Sequence, residues 1–182
     1  MTNILIMKTC IALLRGINVS GKNLIKMAEL RNTLVETGLQ NIRTYIQSGN
    51  IVFESDEAGY RLADLIAAQI HTRFGFNIPV IVLLQDELRL IRDYNPFIGT
   101  DGIIEKQLYV TLLSSVPEQA VVDHIRSLDF SPDQLIFAGR AIYLNLVTGA
   151  ANTKITNALL EKKLKVNATA RNWNTVMKLC EM

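Results

Sequence analysis

The chain has 182 residues, 49% hydrophobic and 20% charged, which suits one large domain or two small ones and excludes a largely disordered protein. Nineteen basic residues against 17 acidic ones leave a net charge of +2, without the strong basic excess of a nucleic-acid-binding surface. No stretch approaches the ~20 apolar residues of a membrane-spanning helix.

Residues 1–7 are apolar but carry no basic residue ahead of the run, Lys8 interrupts it, and no small-residue cleavage pattern follows. A cytoplasmic protein is therefore expected. Cys10 and Cys180 sit in apolar surroundings without metal-type spacing and read as reduced core thiols. A disulfide joining the two ends is the other reading, and it needs an oxidising compartment.

From Cys10 to Arg15 a continuous apolar run closed by Gly16 predicts a buried strand. A loop follows over 17–23. Met27, Leu30, Leu34 and Val35 recur at helical spacing, and Gly38 ends that helix. The runs 42–47 and 51–54, separated by Ser48-Gly49-Asn50, predict a hairpin with its turn at Gly49. Leu62, Leu65, Ile66, Ile70 and Phe74 mark a second helix, and 78–84 a strand whose early Pro79 places it at an edge or at its first residues.

The same order then returns. A linking helix is predicted over 86–94, broken by Asn95-Pro96-Phe97, then a strand over 106–113 and a helix over 117–128 with Pro117 in its first turn. A second hairpin, 134–138 and 141–147, turns at Gly139-Arg140. A helix over 153–164, a strand over 166–171 and a terminal helix over 174–180 complete the chain. The expected architecture is α+β: two ferredoxin-like β-α-β-β-α-β units with antiparallel sheets packed together, the first over 8–85, the second with the linking helix over 86–182.

Three segments concentrate polar residues. Gly16 to Lys22 matches the spacing of a phosphate loop, G-x-x-x-x-G-K, but Asn23 stands where a magnesium-binding hydroxyl is needed, and the strand order is wrong for a parallel nucleotide-binding sheet. A looser anion site survives, made of backbone N–H groups beside Arg15, Asn18, Lys22 and Lys26, against a simple solvated loop with incidental lysines. Gln47 and Asn50 flank the hairpin turn and offer hydrogen bonds, or merely shape the turn. Around Arg171, Asn172 and Trp173 an indole beside a guanidinium suits a base or ring; the alternative is a core Trp near a helix start, with Asn172 or Asn174 as cap. Lys154 is a second anion contact or part of a helix cap. No Ser-His-acid order, zinc spacing or other metal set appears, and His71 falls opposite its helix's apolar face, so no catalytic residue, metal or cofactor is assigned.

Several segments together resemble one family. Ala12-Leu-Leu-Arg-Gly-Ile-Asn-Val19, Gly21-Lys-Asn23, Met27 with Leu30, and Tyr45-Ile-Gln-Ser-Gly-Asn-Ile-Val-Phe53 look like the N-terminal signature of the bacterial domain-of-unknown-function 1697 family. Asn95-Pro-Phe97, Leu159-Leu-Glu-Lys162 and Thr169-Ala-Arg-Asn-Trp-Asn-Thr-Val176 resemble its later motifs. The resemblance implies a two-part α+β fold and no particular activity. Ser20 stands where the family commonly has a second Gly, and the residues before Lys8 leave Met7 as an alternative start.

The expected function is binding, with or without turnover, of a small anionic or nucleotide-like ligand in a cleft between the halves. Arg15 and Lys22 would meet its charge, Gln47 and Asn50 supply hydrogen bonds, and Trp173 stack. Single-stranded nucleic-acid binding and a protein-interaction or oligomeric role are the alternatives, the former weakened by the balanced charge and the lack of a basic-aromatic strand signature.

Overall fold

The computed structural model describes residues 7–57 and 59–182. The chain divides into two compact units, the first ending at Leu88 and the second covering Arg89–Glu181. The expectations on residues 1–6 fall outside the described residues.

In the first unit the order is β1 (Lys8–Leu14), α1 (Met27–Val35), β2 (Gln40–Tyr45), β3 (Asn50–Ser55), α2 (Gly59–Phe74) and β4 (Val80–Leu84), leading into α3 (Gln85–Asp93). The four strands form one antiparallel sheet in the order β2-β3-β1-β4. β1 is central, which is why it reads as an unbroken apolar run. Cys10, Ala12 and Leu14 join a core with Leu30 and Leu34 of α1, Leu62, Ile66 and Ile70 of α2, and Phe53 of β3. Ile11 and Leu13 alternate to the opposite face and are equally buried. β4 is an edge strand with Pro79 just before it, where a missing N–H costs no ladder bond. Helix α2 stops at Gly75, whose left-handed backbone lets its N–H donate to the His71 carbonyl.

The second unit repeats this plan. After a 3-10 turn (Glu105–Gln107) come β5 (Leu108–Leu113), α4 (Gln119–Arg126), β6 (Gln134–Ala138), β7 (Ala141–Asn145), α5 (Asn157–Leu164), β8 (Ala168–Asn172) and α6 (Trp173–Glu181). Its antiparallel sheet has the order β6-β7-β5-β8. The α+β expectation holds, with two four-stranded antiparallel sheets of ferredoxin-like connectivity.

Helix starts differ from the sequence reading where side chains compete for the backbone. The helix expected from Thr153 begins at Asn157. Thr153 Oγ1 accepts the Ile155 N–H in a local turn, and Thr156 Oγ1 accepts the Leu159 N–H as the true cap. α4 starts two residues after Pro117 because Glu118 is still extended. Cys10 and Cys180 are buried free thiols, and burial pushes both up from the usual thiol range. Among the described residues no helix is long and apolar enough to cross a membrane.

Candidate functional site

The loop after β1 is held from both sides. The Leu14 N–H donates to the Gly49 carbonyl in the β2–β3 turn (2.8 Å), and the Arg15 N–H donates to the Pro79 carbonyl ahead of β4 (3.0 Å). Beyond these anchors the chain makes an unusual path: Gly16, Asn18, Ser20, Gly21 and Asn23 all have positive φ. Asn tolerates this region because its short amide bonds locally, and both asparagines do so. Asn18 Nδ2 donates to the carbonyls of Ile25 (3.0 Å) and Gln47 (2.8 Å), while its Oδ1 accepts the Ile25 N–H (2.8 Å). Asn23 Nδ2 donates to the Gly16 carbonyl (2.9 Å). Ser20 adopts φ +49°.

This fastened loop forms one wall of a surface pocket of about 460 Å³, lined among others by Arg15, Ser20, Lys22, Asn23, Asn77 and Pro79. Its lining includes two cationic side chains, Arg15 and Lys22, and no carboxylate. α1 begins only at Met27, four residues beyond Asn23, and Lys22 is exposed in the loop rather than at a helix mouth. A nucleotide-hydrolysing phosphate loop is therefore not what the motif builds.

The sequence candidates separate. Arg15 and Lys22 share the pocket. Asn18 is a clip that fastens the loop, and Asn50 is fully buried, its Nδ2 donating to the Tyr45 carbonyl and Ser48 Oγ to hold the hairpin turn. Gln47 is exposed beside that turn. The others belong to the second unit. Lys154 is exposed in the loop before α5. Asn172 Oδ1 accepts the Thr175 N–H and caps α6, and Trp173, at the first turn of that helix, is buried. The second reading of that segment, a core Trp with an Asn cap, thus describes its geometry. Arg171 is paired in register with Val110 of β5 and is buried; burial lowers its guanidinium to about 10, and its Nη1 donates to Thr169 Oγ1 and the Ala170 carbonyl. It stays charged at neutral pH.

Asn77 and Pro79 were missed by sequence reasoning. Only the pairing of β1 with β4 brings them beside Arg15. Among the described residues no three His, Cys, Asp or Glu side chains gather as a metal set.

Two units of ferredoxin-like connectivity in tandem, the first with a pocket beside its β1–α1 loop, define the class of protein. Residues 7–143 match the model of the family described as Protein of unknown function (DUF1697), and the chain belongs to that family. Among solved structures it is similar to the conserved bacterial protein SP0830 from Streptococcus pneumoniae, at 25% identity and a TM-score of 0.74, over 97% of this chain and 98% of that one. No curated protein matches the chain.

Proposed function

We propose that the first unit binds a small anionic ligand, phosphate-bearing or nucleotide-like, in the pocket of the β1–α1 loop. The observation that supports it is the meeting of Arg15 and Lys22 in one pocket whose backbone is already fixed by Asn18 and Asn23. A loop ordered before the ligand arrives loses little conformational entropy on binding. Two cations and polar Ser20, Asn23 and Asn77 suit oxyanion oxygens. Reading of single strands on the sheets is less favoured, because Phe53 and Tyr143 are buried and the charge is balanced.

The test is the melting temperature of the full chain at low salt with inorganic phosphate, pyrophosphate and nucleotides. Ligands that bind the folded state raise it. A rise that disappears in the Arg15→Ala and Lys22→Ala variants is expected. No rise with any anion, or an undiminished rise in both variants, refutes the reading.

A further inference from the structure

A second recess of about 430 Å³ lies in the same unit, lined by Ala67, Ala68 and His71 of α2 and by Asn77, Ile78 and Pro79. Asn77 and Pro79 also line the pocket of Arg15 and Lys22. The two recesses therefore meet at the segment ahead of β4, and both volumes fall in the ~300–1,000 Å³ range of small-molecule sites.

Their chemistries differ. One holds Arg15 and Lys22; the other has walls of alanine methyls, Ile78 and Pro79, with one imidazole. α2 contributes two alanines to its wall. His71 follows Ala67 by four positions and Ala68 by three, so it stands one turn along the same face. Its ring is a stacking surface, and the Asn77 amide, at the seam, both donates and accepts.

We infer that the two recesses form one composite site for a ligand with a phosphate at one end and a planar heterocycle at the other, the chemistry of a nucleoside monophosphate. The phosphate meets Arg15 and Lys22, and the ring lies on the Ala67, Ala68 and Pro79 surface against His71. This inference rests on the anion reading of the first pocket and adds the ring to it.

Isothermal titration of the full chain with AMP, GMP, CMP, UMP, ribose 5-phosphate and inorganic phosphate separates the two ideas. At least one nucleotide should bind about tenfold or more tightly than ribose 5-phosphate, the gain expected of a stacked base. Ala68→Gln, at an exposed helical position that keeps helix propensity, and His71→Ala should each bring that nucleotide down towards ribose 5-phosphate while leaving inorganic phosphate binding unchanged. If ribose 5-phosphate binds as tightly as every nucleotide, the ring subsite is refuted and the anion pocket stands. If the nucleotide preference survives both variants, the ring lies elsewhere and the inference is again refuted. If no phosphate-bearing probe binds, both fall together.

Discussion

Gly49 is the point on which the β1–α1 loop rests, and Gly49→Ala measures how firmly. Two separable costs follow from its position. Its φ of +79° is a conformation in which an L-residue loses about 1–2 kcal/mol. A Cβ added there would stand 2.6 Å from Leu14 Cβ and 3.0 Å from Ile17 Cδ1, where carbon atoms prefer about 3.5–4.0 Å. Leu14 cannot give way easily, because its backbone is paired with β4 and its side chain is in the core. Overpacking of this kind costs about 1–3 kcal/mol, so the variant should lose about 2–5 kcal/mol in all. Gly38→Ala supplies the control: φ is +85°, but nothing lies within 4 Å of the added carbon. It should lose only the backbone part, about 1–2 kcal/mol. Urea unfolding of the three proteins reads both numbers. The Gly49 variant should also respond less to phosphate, since a shift of the turn would disturb the Leu14–Gly49 hydrogen bond, one residue from Arg15. Equal losses in the two variants would refute the close approach of the turn to β1 and with it the account of how the loop is fastened.

Two further predictions concern polar anchors. Asn18→Ala removes three hydrogen bonds and puts alanine at φ +53°, so a loss of about 2–4 kcal/mol in urea is expected; Asn18→Gly keeps the backbone freedom, and should lose less stability yet as much phosphate response, whereas full retention of that response by both variants would count against the loop as the site. In the second unit burial pushes the Asp133 carboxyl up, but hydrogen bonds from the Thr148 N–H, the Thr153 and Thr148 hydroxyls and the Val147 N–H outweigh it, and the net direction is down. A carboxyl lowered in the folded state stabilises above its unfolded value of about 3.9 and loses that contribution as pH falls through the lower folded value. Asp133→Asn should therefore cost about 1–3 kcal/mol at neutral pH, with the gap to wild type closing in acid; urea midpoints that run parallel down to strongly acidic pH would contradict this.

The helices and strands are legible in the residue order because their information is local. Leu62, Ile66 and Ile70 declare one helix face by spacing alone, and the unbroken run of β1 declares a strand buried on both sides. The repeated element order, the turn at Gly49 and the family motifs are legible for the same reason. What local pattern cannot carry is the use to which a polar side chain is put. Asn18, Asn50 and Arg171 look alike as candidates in a sequence, yet Asn18 bonds to Gln47, 29 positions away, and Asn50 and Arg171 are buried. Trp173 can be read as a stacking platform, and it is buried at the start of α6. Only the sheet order β2-β3-β1-β4 sets Pro79 and Asn77 against Arg15 and turns one motif into a pocket. The sequence alone determined the elements, through residue periodicity; the tertiary structure decided which polar groups fasten the chain and which line a pocket, because hydrogen-bond partners far apart in the chain exist only once the strands have paired.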